Sequence, residues 1–366
     1  MAATPSYNSY NTDMSENNGS VFTNEYADLT KSLNTMSLVI YCLTFVLGVL
    51  GNGVVIWVTG FKMKKTVNTV WFLNLAIADF LFTVFLPLTV VNMALNYHWP
   101  FGKFMCKLSI TMNLLNIFAS VYILMVISVD RCVSVVWPVW AQNHRSVRKA
   151  SCVSLGVWVL ALILSAPYFV FRDTGPSRVD NNIMICYYKF ALPDDVTESV
   201  KQLRLLRHQA MTLTRFLLGF VVPFTVIVSC YAVIIHRLRR NRTLASKSSR
   251  PFKIIAAVIT TFFLCWAPYH IIGLIELVNH MAIHSSEILH HVYTIGAPIA
   301  TNLAFLNSCL NPLLYVFMGQ DFKDRICKPI LAVLETAFQE DGPGTHSDTQ
   351  SGDKERNEQI TLNTNV

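Results

Sequence analysis

The chain has 366 residues and a formal charge of +7, with 53% hydrophobic but only 14% charged residues, and its mean hydropathy is +0.42. Soluble domains carry about a quarter of their residues as charges, so a water-soluble globular protein is excluded and lipid solvates most of this chain. The positive balance reads as the usual excess of lysine and arginine on one side of a membrane rather than as a nucleic-acid footprint.

Residues 1–35 open without the basic start and apolar core of a cleavable leader. They are polar and acidic (Asp13, Glu16, Glu25, Asp28), and the composition predicts an extracellular disordered segment. Asn18-Gly19-Ser20 is a glycosylation sequon. Tyr26, between Glu25 and Asp28, is either a sulfation site or an ordinary tyrosine.

A helix needs about 20 apolar residues to cross the hydrocarbon. Seven such runs follow, at residues 38–61, 70–92, 108–129, 150–171, 216–235, 254–275 and 292–320. Their internal prolines (Pro87, Pro167, Pro223, Pro268, Pro312) are tolerated as kinks where neighbouring helices satisfy the backbone. The pattern predicts an all-α membrane protein, a seven-transmembrane helix bundle over residues 36–318. No repeat relates its halves, which argues against a transporter.

The first loop, "FKMKKT", and the loop "HRLRRNRTLASKSSRPFK" are basic and contain no acid. Both are therefore placed in the cytoplasm, with the N-terminus outside and the C-terminus inside. Asn241-Arg242-Thr243 then lies inside and stays unglycosylated. The loop 172–207 mixes basic residues with Asp173, Asp180, Asp194, Asp195 and Glu198 and carries little topological information. Most of the nine cysteines lie in spans and act as small apolar residues. Cys106, at the outer start of the third span, and Cys186, in the long outer loop, are expected to form a disulfide in an oxidising exterior.

After the last span, "GQDFKDRICKPILAVLETAF" places Phe322, Ile326 and Ile330 at four-residue spacing opposite Lys323, Arg325 and Lys328. Residues 319–338 are thus expected to form a short amphipathic helix on the inner leaflet, with Cys327 a palmitoylation candidate. The tail 339–366 is read as disordered. Thr345, Ser347, Thr349 and Ser351 would be targets of receptor kinases and, once phosphorylated, present anions to arrestin; otherwise they simply solubilise the tail.

An ionisable group inside a bilayer costs several kcal/mol unless it is paired or hydrated, and so points to function. Asp79 is the only charge in its span. Asn52, Asn116, Ser120, Asn307 and Asn311 are the polar residues able to join it. Such oxygens suit a small hard cation such as Na⁺, or a packed network with trapped water; spacing leaves both open. Asp130-Arg131 is a second charge pair, at the inner end of the third span, either held there for a function or simply snorkelling to the interface.

"GNGVV", "LAIAD", "DRC", Trp158, "CWAP" and "NSCLNPLLY" occur in order, one group per span except the fifth, which supplies Pro223 and Tyr231. Together they resemble the rhodopsin-like (class A) G-protein-coupled receptors over residues 41–322. The resemblance implies a sodium pocket at Asp79, Asn116, Ser120 and Asn311, with Asn307 beside it, and no other cofactor. It implies a packing switch of Trp266, Phe262, Val121 and Pro223, and an inner rearrangement at Asn311, Pro312, Tyr315 and Tyr231. Arg131, held by its neighbour Asp130, is then a latch released to a heterotrimeric G protein when the sixth span swings about Pro268. The sixth span's inner end, "ASKSSRPFK", has no acidic residue to strengthen that lock, and Cys132 replaces the tyrosine common after the arginine.

"HWPFGKFMCK", "PVWAQNHRSVR" and "NPLLYVFMGQDFK" look like the leukocyte chemoattractant receptors, near the formyl-peptide and chemerin receptors. Asn113 stands at the position where amine receptors carry an aspartate. Arg215, in "TLTRFLLGF", lies about two turns outward of Pro223; it either faces the pocket and grips a carboxylate bidentately or snorkels to the outer surface. The formyl-peptide pattern has an acid and a second arginine where this chain has Leu114 and Met211, so the anionic C-terminus of a peptide or small protein is favoured as ligand. Glu276 either meets a basic ligand residue or is a solvated rim charge. His280, His284, His290 and His291 lack a fixed ligand spacing and are read as loop residues. The expected function is a plasma-membrane receptor for a chemoattractant, coupled to the Gi class. The alternatives are a scavenger for the same ligands or a formyl-peptide or complement-type receptor. No nucleophile–base pair suggests an enzyme.

Overall fold

The computed structural model describes residues 19–177, 180–190, 198–240, 242–281 and 287–318. Helix α1 (Gly19–Trp57) ends in a π turn, Val58–Lys62. It is followed by α2 (Val67–Ala94), α3 (Gly102–Val136), the short α4 (Pro138–His144) and α5 (Val147–Val170). A hairpin of β1 (Arg172–Pro176) and β2 (Met184–Tyr188) precedes α6 (Glu198–Phe216), which continues through a π turn, Leu217–Val221, into α7 (Val222–Arg240). Helices α8 (Arg242–Met281) and α9 (Glu287–Met318) complete the order. Among the described residues six rods are long and apolar enough to cross a membrane, α6 and α7 counting as one; α9 is a further helix of 32 residues.

Local chemistry sets several boundaries. Thr66 and Thr69 form a reciprocal capping box that starts α2. Ser146 caps α5 by accepting from the Lys149 N–H, and Pro138 occupies the first turn of α4, where its missing N–H costs nothing. Helix α3 opens on Gly102 at φ +74°, a left-handed conformation that favours glycine. Gly51 allows a close crossing of α1 and α9, since a Cβ there would lie 3.1 Å from Pro312.

Helix α3 is the axis. About four-fifths of its apolar window (78%) is buried, against 28% for α1 and α5, and it packs on α2, α5 and α7. The outward faces of the other rods keep leucines and isoleucines exposed, such as Leu50, Leu155 and Ile163, as lipid solvation requires.

Three expectations change. Residues 19–35, read as disordered, are the first turns of α1; the segment 20–50 contains no proline, and its single late glycine does not stop a helix already seeded by the apolar span. Within the outer loop expected at 172–207, residues 172–176 and 184–188 form the hairpin, and α6 begins at Glu198. The inner basic segment is helical from Arg242 onward. Asn18, Cys327, the helix expected at 319–338 and the tail lie outside the described residues.

The hairpin is fixed from three sides. Cys106 is disulfide-bonded to Cys186, as expected, with Cα atoms 5.8 Å apart. The Trp99 N–H donates to the Met184 carbonyl at 2.7 Å, and Lys103 pairs with Asp173 at 2.9 Å. Cys106→Ser is therefore expected to lower stability by about 2–4 kcal/mol and to loosen the hairpin, measured as a fall in the Tm of the detergent-solubilised protein.

Candidate functional site

Three polar groups lie along the bundle. At the hairpin end, a cavity opens between α1, α2, α3 and α9 beneath β1 and β2. Aromatic side chains (Phe82, Trp99, Phe305) and polar ones (Asn92, Asn113, Arg172) line it. The Asn113 carbonyl oxygen is buried without a partner, as a group awaiting a ligand or water would be.

Arg215 does not snorkel outward. It is 5% exposed, its Nη1 donates to the Tyr269 hydroxyl at 3.4 Å, and its guanidinium lies 5.2 Å from the Tyr269 ring. Tyr168, Tyr188 and Glu276 complete its electrostatic surroundings. Glu276 is half-buried, accepts from the Tyr293 hydroxyl at 3.3 Å and keeps Oε2 buried without a partner; it is not a solvated rim charge.

The residues expected at the ligand site are thus divided. Asn113 lines the cavity, whereas Arg215 and Glu276 stand beside it in a tyrosine-rich cluster. Leu114 is fully buried in the core. Met211 packs against that core, and its carbonyl accepts from Tyr168 at 3.0 Å.

Sequence reading missed Arg172, which joins the two halves. It lines the cavity, is 4% exposed, donates from Nε to the Cys186 sulfur at 3.2 Å and stacks 4.3 Å from the Tyr188 ring. Burial lowers its pKa while Tyr188 opposes that shift, and burial raises the Tyr188 phenol against the pull of Arg172 and Arg215. Tyr188 therefore stays neutral between two guanidiniums. The available signal was the immediate exit of Arg172 from an apolar span.

In the middle of the bundle, Asp79 is 1% exposed. The side-chain amide of Asn116 donates to its Oδ1 at 2.9 Å, and that of Asn311 donates to its Oδ2 at 2.8 Å. Asn116 also lies 3.4 Å from the Ser120 hydroxyl. Asn307 turns instead toward Cys265 of α8, and Asn52 donates to the Gly48 and Ser308 carbonyls. Ser308, not singled out beforehand, adjoins the carboxylate. The Asn311 carbonyl oxygen is buried without a partner. A carboxylate with three further oxygens around it, from Ser120, Ser308 and Asn311, fits a hard cation such as Na⁺.

Between these levels, Phe262 and Trp266 are buried with ring centroids 5.9 Å apart, and Val121 and Pro223 are buried with them. Pro312 is buried against α1, and Tyr315 lies in α9.

At the far end, the latch is built differently from the expectation. Asp130 does not hold Arg131. Its carboxylate takes Arg145 in a two-pronged pair, Nε to Oδ1 and Nη2 to Oδ2, both at 2.8 Å. Arg131 Nη2 donates to the side-chain oxygen of Asn68 instead. Neighbours on a helix do not face one another, so each charge turns to a different element. The Tyr231 hydroxyl, buried without a hydrogen-bond partner, lies within electrostatic reach of Arg131.

Residues 51–315 match the 7 transmembrane receptor (rhodopsin family). The chain is 48% identical to the Chemerin-like receptor 1 of Mus musculus over 335 residues, 89% of this chain and 87% of that protein. It is 44% identical to the C3a anaphylatoxin chemotactic receptor of Danio rerio over 329 residues, 90% and 84% of the two chains. It is 41% identical to the N-formyl peptide receptor 3 of Pan troglodytes over 308 residues, 83% and 86% of the two chains. The chain belongs to the rhodopsin family of seven-transmembrane receptors, and so is a multi-pass membrane receptor that couples to G proteins and not an enzyme.

Proposed function

We propose that this receptor responds to an extracellular chemoattractant peptide or small protein with an anionic C-terminus, of the chemerin-like kind, and signals through Gi to lower cAMP, mobilise calcium and drive chemotaxis. The observation that carries the reading is the buried Arg215 guanidinium, with Arg172 across Tyr188. Two cations in a half-apolar setting attract one carboxylate and orient it bidentately. The names of the relatives, a chemerin-like, a C3a and a formyl-peptide receptor, supply the ligand class.

Binding there presses on Tyr269, which stacks edge-on against Trp266 at 5.5 Å. Trp266 and Phe262 convey the change to α8, whose Pro268 breaks the hydrogen-bond ladder and provides the hinge. The outward swing frees room for the G protein at Arg131. Na⁺ bound to Asp79, Ser120, Ser308 and Asn311 would favour the resting arrangement. Asp79→Asn is expected to abolish sodium's effect on agonist affinity, read by comparing binding in sodium and in potassium buffer.

The ligand reading is tested with synthetic chemerin C-terminal peptides bearing a free carboxylate or a terminal amide. The acid form should be at least tenfold more potent; equal potency would overturn the carboxylate assignment.

A further inference from the structure

Asn68 is the second residue of α2, held by the Thr66–Thr69 capping box that brackets it. Its side-chain oxygen receives two guanidiniums, Nη2 of Arg131 and, at 3.2 Å, Nη2 of Arg145. Asp130 is fully engaged by Arg145, and its side chain is only 11% exposed. Arg131 Nε has no partner. The arginine presented to the G protein is thus restrained by a neutral amide from another helix, while its adjacent carboxylate is occupied elsewhere.

We infer that Asn68 is the positioning residue that restrains Arg131 at rest, and that Arg145 sets the strength of the restraint by keeping Asp130 away from Arg131. An acid would be favoured in the first turn of a helix by the backbone dipole and would bind both guanidiniums more tightly. The amide is the weaker holder, one that a docking G protein can displace. The node draws α2, α3 and the α4–α5 junction together through a single oxygen, so the resting latch is shared among three elements. This rests on the G-protein coupling of the family and adds residues that the sequence motif does not contain.

The arrangement predicts an unusual genetic interaction. Asn68→Ala frees Arg131 while Asp130 stays with Arg145, so ligand-free activity rises by about tenfold, the weight of one hydrogen bond to a charged group. Arg145→Ala alone gives no rise, because Asp130 becomes available to Arg131. The double variant then returns to the basal level of the parent, a suppression that two independent destabilising changes would not produce. Asn68→Asp lowers basal activity below the parent.

The test is nucleotide exchange by a panel of purified G proteins on membranes holding equal surface amounts of each full-length variant, without ligand and with the free-acid chemerin C-terminal peptide. Raised exchange in Asn68→Ala that Arg145→Ala suppresses supports the node. Unchanged basal exchange in both Asn68 variants, with the peptide response intact, overturns it and leaves the receptor reading standing, as does a double variant as active as Asn68→Ala. Absence of exchange in every variant and the parent, even with peptide and every G protein, overturns the coupling and the node together.

Discussion

Arg131→Ala is expected to abolish G-protein activation while leaving ligand binding intact. The guanidinium lies at the end of α3 remote from the hairpin and has one hydrogen bond, to Asn68. Its five donors and permanent charge are available to the carbonyls at the C-terminus of a G-protein helix once α8 moves away. Truncating one member of a buried charged contact costs about 2–5 kcal/mol, so stimulated nucleotide exchange should fall by about thirtyfold or more. Lysine at this position should recover only part of the loss, because it lacks the planar fork. Peptide affinity, measured by competition binding, should change by less than about threefold, since well-separated sites are close to additive. Unaltered exchange in Arg131→Ala would remove the arginine from the coupling machinery.

Arg215→Ala should have the second large effect, at the opposite end of the bundle. The side chain is 5% exposed and has Tyr168, Tyr188, Tyr269 and Glu276 around it. Its bond to Tyr269 is long, at 3.4 Å, and is readily exchanged for a carboxylate. Losing that pair should weaken a free-acid peptide by about 2–5 kcal/mol and leave the amidated peptide almost unchanged. Arg172→Ala should cost less, because Arg172 is also committed to the Cys186 sulfur and the Tyr188 ring. Tyr269→Phe removes the hydroxyl but keeps the ring, and separates the hydrogen bond from the cation–π contact. If acid and amide peptides lost potency equally in Arg215→Ala, the residue would be supporting the pocket wall rather than reading the terminus.

The seven crossings were legible because hydrocarbon imposes a length and a composition on each of them, and the Cys106–Cys186 pairing followed from topology. The limits lay where geometry outweighs spacing. Helix α6 starts at Glu198 in a polar stretch that a hydropathy window rejects. The hairpin is short, and hydrogen bonds to Trp99 and the disulfide sustain it rather than a strand-like sequence pattern. The Asp79 cluster was half legible: Asn116, Ser120 and Asn311 converge on it, while Asn307 turns away by the rotation of one residue and Ser308 takes the place beside the carboxylate. Adjacent letters in "DRC" suggested an adjacent pair, yet residues one apart on a helix point about 100° apart. Arg145 and Asn68, 15 and 62 positions from Asp130, carry no motif that would connect them to it.

Signalling of a chemoattractant through Gi is read as ligand-stimulated inhibition of cAMP in cells expressing the full chain, with and without pertussis toxin. The ligand panel is chemerin-type C-terminal peptides, formyl peptides and complement fragments. A toxin-sensitive response to the chemerin-type acid peptide is expected. Surface expression and ligand uptake with no cAMP response to any of the panel would contradict it and describe a scavenger.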